Sequence, residues 1–507
     1  FRFLSYNPVY GRSHVTFMHA LHETLIDAGH EVHVITPIID SRLKLEETRA
    51  KVILIPQSEG ARDFEGGSEA EMISNAWVSE GISGALGSMK RFMAAWHEQC
   101  NFTLQYPGLM EQLAKENYDA AFSEPICFCG YGIFEQLGIE NIATTLSTAS
   151  SEGMFRMTGA PSAPSYVPGI LSKNSDRMGF MERVGNSIHN LMPHFFWPML
   201  MGPYDEMFKQ QFGRRDFPTT WDILEKNSYF FVNAEPITDF PRLITHKVVD
   251  IGGISVASGF KPLNETWSNI LNLRKKTVLL SFGSVAKSYL MPEEYKQTIR
   301  NTFRKFPDVT FIWKYEKPEH GMSEGIDNLI ETTWMPQNDM LQDPRLSLFI
   351  THCGQGSTIE ATTAGVPLIV IPVLGDQQRN AQTIKRIGTG VVLDKKILAE
   401  EETLEKTIRS VLENEEYARK AKFIGEMIRN RPFTARDTFV RNMEFMARFG
   451  PLKQFDHYGT QLNFFQYYCL DVWTFLVSIV LAAVGAILFC IRAVFRKVFF
   501  TIKKKVD

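Results

Sequence analysis

Short apolar segments alternate with longer amphipathic segments through the first half of the chain. Phe17, Leu21 and Leu25 recur at the spacing of one helical face, and Gly29 is typical of a helix end. The Met- and Phe-rich residues 68–116 also indicate helices. Four segments are predicted strands: FRFLSY, EVHVITP, KVILIP and YDAAFSE. Strands that alternate with helices predict a parallel sheet covered by helices on both faces.

The second half repeats this alternation after a Gly- and Pro-containing passage, VVDIGGISVASGFKPLN. One helix is predicted from PEEYKQTIRNTFRKF, and further helical patterns cover residues 401–431 and continue after Pro432 to about Gly450. The predicted strands are KTVLLSFGS, DVTFIWKYE, LSLFITH, PLIVIP and GVVLD. The pattern therefore predicts an α/β fold of two doubly wound, Rossmann-like domains that face a cleft, with ligands at the carboxyl ends of the strands.

Residues 472–491 form a run of 20 residues without a charge, about enough to cross a bilayer core of roughly 30 Å. The residues that follow are basic, with Arg492, Arg496, Lys497 and the lysines at 503–505. This asymmetry predicts a transmembrane helix with a cytosolic tail at 492–507 and a luminal body before it. A buried helix of a soluble protein is the alternative.

The C-terminal tail also resembles a localisation signal. The last four residues are KKVD, and this ending resembles the dilysine retrieval signal of endoplasmic-reticulum membrane proteins, with a polybasic membrane flank as the alternative. The sequons at Asn101 and Asn264 agree with a luminal body. Such a body needs a signal peptide, which we expect to have been cleaved or left out, because the chain starts at Phe1. We therefore expect a single-pass, type I membrane protein of the endoplasmic reticulum.

Composition limits the function classes further. The net charge is −3 and no basic stripe is present, which argues against a nucleic-acid partner. The chain has 6 cysteines and no spacing that demands a disulfide framework. Cys127 and Cys129 are interpreted as two buried thiols, and a bridge or a metal site at this pair is the alternative.

The segment FITHCGQGSTIEATTAGVP, residues 349–367, combines a strand, a glycine turn and a helix that Gly365 ends. Ser357 and Glu360 have the spacing of a capping box, in which the hydroxyl caps the helix and the carboxylate reaches back. The same turn suits an anion, because Gly354 and Gly356 let a ligand approach backbone amides at a helix N-terminus. Neither a Walker loop nor GxGxxG is present. The local pattern leaves both interpretations open.

The flanking segments, TWMPQNDMLQDP and VPLIVIPVLGDQQRNAQ, supply a resemblance. Over residues 334–380 the motifs W-x-P-Q, T-H-x-G-x-x-S-x-x-E, G-V-P and D-Q resemble the signature of the UDP-glycosyltransferases. The agreement extends from GRSH to the membrane tail, and GRSHVTFMHAL, FSEP and HCGQGST resemble invertebrate, nematode-like members. The resemblance implies a GT-B fold and an inverting enzyme that moves a sugar from UDP to small lipophilic acceptors.

The resemblance assigns ten donor-binding positions. Trp334 is expected to stack on uracil, Gln337 to contact the nucleoside and Glu360 to bind the ribose hydroxyls. The other positions are expected at the diphosphate, Ser284, His352, Gly354, Gly356 and Ser357, and at the sugar hydroxyls, Asp376 and Gln377. Many relatives have Gly at the position of Cys353 and Asn at that of Gly356, so we expect no side-chain contact from either residue here.

The catalytic residues implied by the resemblance are His14 of GRSH, as general base, and Glu124, where relatives commonly have Asp. Asp119, earlier in the same strand, is the competing choice for the carboxylate. We expect Ser13 to cap the first helix, and the helix N-terminus to keep His14 neutral. Four other histidines are expected to be bystanders: His19, His22, His30 and His33.

The expected donor is UDP-glucose, which invertebrate members usually use. UDP-glucuronic acid is the alternative, with Arg379 as the candidate cation for its carboxylate unless this side chain points to solvent. No metal or other cofactor is expected, since D-x-D is absent from the sequence. Two other classes remain as alternatives: a non-catalytic UDP-sugar-binding partner and a nucleotide-sugar epimerase. A homo- or hetero-oligomer is also left open.

These interpretations divide the chain into six predicted parts. They are an acceptor-binding domain at 1–245, a linker at 246–262, a UDP-sugar-binding domain at 263–431, helices returning toward the first domain and the membrane at 432–470, the transmembrane helix at 472–491, and the cytosolic tail at 492–507.

Overall fold

Two parallel sheets are the framework of the computed structural model, which describes residues 1–78, 86–149, 151–256 and 262–506 of the 507 residues. The predicted linker at 246–262 lies partly outside these residues, and the final Asp507 of KKVD lies outside them. The strands, in chain order, are β1 (Arg2–Tyr6), β2 (Glu31–Pro37), β3 (Lys51–Ile55), β4 (Ala120–Ser123), β5 (Ile142–Leu146), β6 (Tyr229–Val232), β7 (Val248–Asp250), β8 (Lys276–Ser281), β9 (Val309–Lys314), β10 (Leu329–Thr332), β11 (Leu346–Thr351), β12 (Leu368–Val370) and β13 (Gly390–Val392).

The first sheet has the order β3-β2-β1-β4-β5-β6-β7, and all of its pairs are parallel. Its third strand, β1, pairs through Tyr6 with Ile35 of β2 on one side and with Ser123 of β4 on the other. β4 and β5 are buried along their whole length. This is typical of a parallel sheet that helices cover on both faces.

The second sheet has the order β10-β9-β8-β11-β12-β13 and is also parallel. Thr351, the last residue of β11, pairs with Ser281 of β8 and with Val370 of β12. Both sheets are therefore doubly wound, which confirms the predicted fold class.

The helices of the described residues are α1 (Arg12–Asp27), α2 (Glu59–Asp63), α3 (Glu69–Val78), α4 (Leu86–Leu104), α5 (Leu109–Ala114), α6 (Cys129–Gln136), α7 (Glu152–Thr158), α8 (Phe180–Leu191), α9 (Pro193–Phe212), α10 (Thr220–Glu225), α11 (Glu265–Leu271), α12 (Glu293–Arg304), α13 (Gln337–Gln342), α14 (Gln355–Ala364), α15 (Gln377–Ile387), α16 (Glu401–Glu413), α17 (Glu415–Arg429), α18 (Ala435–Phe449), α19 (Phe464–Tyr467) and α20 (Leu470–Val506). Shorter 3₁₀ and π turns connect some of them.

Residues Phe1–Phe455 form one unit, in which several contacts join the two sheets. Trp77 of α3 is fully buried in the core of the second sheet, with its ring 5.0 Å from that of Phe282, and its Nε1 donates to the carbonyl of Lys287. A second contact comes from α18, which follows the second sheet in the chain. Its Phe439 packs on the first sheet, with its ring 4.8 Å from that of Phe231. Apolar burial on both sides therefore holds the sheets together.

The second unit, Asp456–Asp507, contains α19 and α20. Within α20, the segment Leu470–Phe499 is long and apolar enough to cross a membrane by length and composition. The segment predicted from the sequence, 472–491, lies inside it.

The interpretation of Cys127 and Cys129 as two buried thiols is wrong for Cys129. Cys129, the first residue of α6, forms a disulfide with Cys100 of α4, and their Cα atoms are 5.5 Å apart. Cys127 is buried and free, between the hydroxyls of Tyr6 and Tyr204. The sequence could not show this pairing, because the partners lie 29 residues apart and no framework spacing marks them.

The disulfide predicts a distinct alkylation pattern for the denatured protein, because a bridged sulfur cannot react. Before reduction, four thiols are expected to take up iodoacetamide: Cys127, Cys353, Cys469 and Cys490. After reduction, Cys100 and Cys129 should react as well. Peptide mass spectrometry checks this result, and alkylation of Cys100 without a reductant would contradict it.

Candidate active site

The strand order of the second sheet changes direction between β8 and β11. In a doubly wound sheet, the loops that leave two such strands turn to opposite sides and leave a crevice for a ligand. Ser284 is half-buried in the turn after β8, and His352 directly follows β11. These two of the five residues predicted for the diphosphate therefore lie at the position where such sheets bind ligands.

The predicted capping box at Ser357 is wrong. The N-cap of α14 is Gly354, so Ser357 and Glu360 lie inside the helix. Gln337 Nε2 instead donates to Ser357 Oγ (3.1 Å) and to Glu360 Oε2 (2.7 Å). Burial raises the pKa of Glu360 to about 7, although the hydrogen bond from Gln337 opposes this shift. The three side chains thus form one polar cluster at the start of α14.

Trp334 lies three residues before Gln337 and is 59% exposed. Its backbone is held by Thr332, whose Oγ1 donates to the Trp334 carbonyl (2.6 Å). An exposed ring on a fixed backbone is suited to stacking on a flat ligand.

His352 is packed between two glycines. A Cβ at Gly283, which has φ 78°, would lie 2.6 Å from His352 Cε1, and a Cβ at Gly354 would lie 2.6 Å from its Nε2. At Gly356, by contrast, an added Cβ would meet no described atom within 4 Å. Gly354 thus makes room for the imidazole, while Gly356 faces open space. Burial, followed by the charge of Lys314, lowers the pKa of His352 to about 4, so its ring is neutral at pH 7.

The backbone conformation of Cys353 is one that glycine adopts easily, which fits the glycine expected at this position in relatives. Its φ is 65°, in the left-handed region that favours glycine. The thiol is buried against Thr358 Oγ1 (3.3 Å), and burial raises its pKa to about 12. Cys353 therefore keeps the turn without offering a charged group to a ligand.

Asp376 and Gln377 lie at the start of α15, as the N-cap and the first helical residue. Asp376 Oδ2 accepts from Asn380 Nδ2 (2.9 Å), and Asn380 also donates to the carbonyl of Cys353 (3.2 Å). Gln377 Oε1 accepts two backbone amides of the preceding loop (2.8 and 2.9 Å), so this side chain is fixed at the start of α15. Burial raises the pKa of Asp376.

Arg379 does not point to solvent. Its side chain is only 2% exposed, and Nη2 lies 2.6 Å from Asp239 Oδ1 in a buried ion pair. The guanidinium also lies over the ring of Phe240, 5.3 Å from the centroid. An arginine held in a buried ion pair is a poor candidate for binding the carboxylate of a sugar.

In the first sheet, the strand order changes direction between β1 and β4. His14, the third residue of α1, places Nδ1 2.9 Å from Oε2 of Glu124, which directly follows β4. Ser147 after β5 supports both groups, because its amide donates to Glu124 Oε1 (2.8 Å) and its Oγ lies 2.8 Å from His14 Nδ1. Asp119 lies before β4 and accepts the amide of Arg2 (2.7 Å). The structure therefore brings Glu124, and not Asp119, to His14.

The expectation that Ser13 caps α1 is wrong. Its N-cap is Gly11 without a side-chain cap, so Ser13 lies inside the helix. Although burial lowers the pKa of His14, the charge and hydrogen bond of Glu124 raise it above the ordinary 6.5. Burial likewise opposes ionisation of Glu124, but His14 and the hydrogen bonds of Ser147 together lower the pKa of Glu124. Glu124 thus opposes the effect that burial and the helix N-terminus have on the pKa of His14.

The four histidines that were expected to be bystanders have partners elsewhere. His22 is hydrogen-bonded to Ser5, His30 to Glu444 and His33 to Tyr118, while His19 lies 3.6 Å from Glu46.

The candidate site residues that follow the strands of the two sheets lie close to one another. Asp376 lies close enough to His14 that its charge raises the pKa of His14, while the charge of His14 opposes the rise at Asp376. At a second contact, Gln355 Nε2, at the first residue of α14, donates to the carbonyl of Asn233 (2.6 Å) after β6. The two crevices therefore form one site between the sheets.

Sequence reasoning missed three polar residues of this site. Ser147 supports His14 and Glu124, Asn380 joins Asp376 to the turn at Cys353, and Lys314 lowers the pKa of His352. Ser147 and Lys314 lie at or next to the carboxyl end of a strand, a position that could have marked them as candidates. No group of three His, Cys, Asp or Glu side chains that could hold a metal occurs among the residues that the structure describes.

The profile of the family described as "UDP-glucoronosyl and UDP-glucosyl transferase" matches residues 8–506. The chain belongs to this family. As a UDP-glycosyltransferase it takes a UDP-sugar as co-substrate. It is 27% identical to the Caenorhabditis elegans protein ugt-47, over 93% of this chain and 89% of that protein. It is also 27% identical to UDP-glucuronosyltransferase 1A3 of Homo sapiens, over 97% of this chain and 90% of the human one.

Solved structures show the fold of this UDP-glycosyltransferase. Os79 from O. sativa, solved in complex with U2F and trichothecene, has a TM-score of 0.59 at 18% identity, over 89% of this chain and 100% of that one. The glycotransferase of kitacinnamycin has a TM-score of 0.59 at 15% identity, over 88% and 98% of the two chains. At these identities the likeness concerns the fold alone, which is the GT-B arrangement of two facing α/β domains.

The raised pKa of Glu360 predicts that binding of UDP-glucose depends on pH. An ionised carboxylate accepts ribose hydroxyls better than a protonated one, so the affinity should be constant above about pH 7 and fall below it, by up to about tenfold per pH unit. Isothermal titration with UDP-glucose, whose phosphates do not titrate in this range, measures the effect.

Glu360→Gln is the matched control, because it keeps the shape of the side chain and cannot ionise. Its affinity should be lower than that of the wild type at pH 8 and nearly constant from pH 5 to 8. Equal pH dependence of the two proteins would contradict a role of Glu360 in this binding.

Proposed function

We propose that this UDP-glycosyltransferase moves glucose from UDP-glucose to a hydroxyl group of small lipophilic acceptors, with inversion at the anomeric carbon. The observation that carries the proposal is the hydrogen-bonded His14–Glu124 pair on one sheet, close to Asp376 on the other. A base and a sugar-binding carboxylate that meet across a cleft are the groups that glycosyl transfer needs.

In the proposed reaction, His14 Nε2 takes the proton of the acceptor hydroxyl. The oxygen forms a bond to the anomeric carbon from the face opposite UDP, and the bond from that carbon to the phosphate oxygen breaks. UDP keeps the electron pair. Glu124 accepts the hydrogen bond from His14 Nδ1 and stabilises the imidazolium that forms, in the manner of the acid–base pairs of hydrolases.

The donor would bind along the second sheet. Trp334 would stack on uracil, while Gln337 and Glu360 would bind the nucleoside. The amides at the start of α14, around Gly354 and Gly356, together with Ser284, His352 and Ser357, would meet the charge of the diphosphate. Asp376 and the NH₂ group of Gln377 would bind hydroxyls of the sugar.

Glucose is favoured over glucuronic acid by the position of Arg379. This arginine is the cation nearest in sequence to Asp376 and Gln377, and the buried pair with Asp239 occupies it. Breaking a buried ion pair to free the guanidinium would be costly. A neutral sugar makes no such demand.

We further propose that the enzyme is anchored in the endoplasmic-reticulum membrane by residues 472–491, with the first unit in the lumen. The basic residues that follow the uncharged run support a cytosolic tail. The Cys100–Cys129 disulfide supports the luminal side, because disulfides persist in oxidising compartments.

His14→Ala is expected to lower kcat by about 10²–10⁴-fold, since it removes the general base. Glu124→Gln should also lower kcat, because a neutral amide cannot stabilise the imidazolium. The affinity for UDP, measured by isothermal titration, should be retained in both variants. Turnover with UDP-glucose and a panel of phenolic acceptors provides the measurement.

The matched control is His19→Ala, which removes another histidine from α1 at a position paired with Glu46. Its turnover should equal that of the wild type. Near-wild-type kcat in His14→Ala, with UDP binding intact, would reject the proposed base.

The donor is tested by thermal shift with UDP-glucose, UDP-glucuronic acid and UDP-N-acetylglucosamine, because a bound ligand stabilises the folded state. UDP-glucose should give the largest shift and support transfer in the presence of EDTA. A larger shift and faster transfer with UDP-glucuronic acid would overturn the choice of glucose. Loss of transfer in EDTA, restored by Mg²⁺, would overturn the prediction that no metal is needed.

A further inference from the structure

One short segment of the first half holds the starts of both helices that would bind the donor. This segment, residues 233–240, directly follows β6 and is called the register segment here. The carbonyl of Asn233 accepts from Gln355 at the first residue of α14, and Asp239 is paired with Arg379 at the third residue of α15. The starts of α14 and α15 are thus fastened to the same eight residues.

The register segment is also joined to the proposed catalytic residues. Asn233 Nδ2 donates to the carbonyl of Ser147 (2.9 Å). The amide of Ser147 in turn donates to Glu124, and its hydroxyl contacts His14. A continuous path of hydrogen bonds therefore runs from His14 to the first residue of α14.

The contact with α15 is the more deeply buried of the two. The side chains of Arg379 and Asp239 are 2% and 9% exposed, and Arg242 lies 3.5 Å from the second oxygen of Asp239. Burial alone would raise the pKa of Asp239, but the two arginines lower it. Arg379 lies three positions after Asp376, within the same helical turn. A displacement of the first turn of α15 would therefore move Asp376 together with Arg379.

We propose that Asp239 and Arg379 are positioning residues, which set the place of the donor sugar relative to His14 by docking the first turn of α15 on the register segment. The proposal rests on the proposed function, since it concerns the distance between the base and the sugar in that reaction. A misplacement of about 1 Å in such a geometry can cost about 10²-fold in rate.

The proposal separates the effect on catalysis from the effect on UDP binding. The residues proposed for the nucleoside all lie in the second half of the chain: Trp334, Gln337 and Glu360. Among the residues that the structure describes, none of the three forms a hydrogen bond with the register segment. The sheets are also joined elsewhere, at Trp77 and α18. Loss of the Asp239–Arg379 pair should therefore change the register of the sugar without separating the sheets or removing the UDP site.

The test uses the full-length enzyme in detergent, with Arg379→Gln, Arg379→Lys and the double variant Asp239→Asn/Arg379→Gln. For Arg379→Gln, kcat with UDP-glucose should fall by about tenfold to hundredfold, while Kd for UDP stays within about twofold. Arg379→Lys keeps the charge and should retain more kcat than Arg379→Gln. If Arg379→Gln fails to fold because Asp239 keeps only Arg242 as a charged partner, the double variant, which removes both charges of the pair, replaces it with the same expected split.

Arg345→Gln is the matched control. Arg345 forms a comparable pair with Asp343, with 2.6 Å between Nη2 and Oδ2 and with the carboxylate buried. It directly precedes β11 and so lies at the amino end of this strand, whereas the site lies at the carboxyl end. This variant should lower Tm without changing kcat.

Three results would overturn the proposal. They are wild-type kcat in a folded variant that lacks the pair, a loss of UDP affinity in proportion to kcat, and an equal loss of kcat in Arg345→Gln. A wild-type enzyme that binds UDP and transfers no sugar would contradict the proposed function instead, so the two failures are distinguishable.

Discussion

The carboxylate of Glu124 is held between a backbone amide and a histidine at the carboxyl edge of the first sheet. One oxygen accepts from Ser147 and the other meets His14 Nδ1, and the side chain is only 8% exposed. A buried carboxylate needs such partners to remain ionised. The ionised carboxylate of Glu124 then orients the imidazole and raises the pKa of His14. The orientation of the base and its protonation thus depend on one buried charge.

This charge acts across a cleft whose two sides come from distant parts of the chain. Glu124 and His14 lie where the order of the first sheet changes direction, and His352 lies at the equivalent point of the second. Parallel sheets direct the carboxyl ends of their strands to one edge, so two such sheets can face each other with both sets of loops in one site. Buried groups such as Trp77 and the Asp239–Arg379 pair then hold the two edges in a fixed relation.

The long apolar strands and amphipathic helices could be predicted from the sequence because their periodicity is local. Four strands were not predicted: β5, β6, β7 and β10. β5 is rich in Ala and Thr, and the other three have only three or four residues, too few for a clear period. Motif spacing predicted the positions of His352, Glu360 and Asp376 at the site. It could not reveal the partner of Arg379, which lies 140 residues away, or the contact of Ser147 with both Glu124 and His14. These contacts depend on tertiary packing.

The same distinction applies to the pKa of His14. The helix N-terminus is visible in the sequence and disfavours imidazolium by a modest amount. A carboxylate 2.9 Å away in a buried site has a larger effect, and only the folded chain shows that distance. The most direct test is a pH titration of the His14 Cε1–H signal by NMR, in the wild type and in Glu124→Gln, with His14→Gln for assignment. The account predicts a pKa above 6.5 in the wild type and below 6.5 in Glu124→Gln; an equal pKa in the two proteins would contradict it.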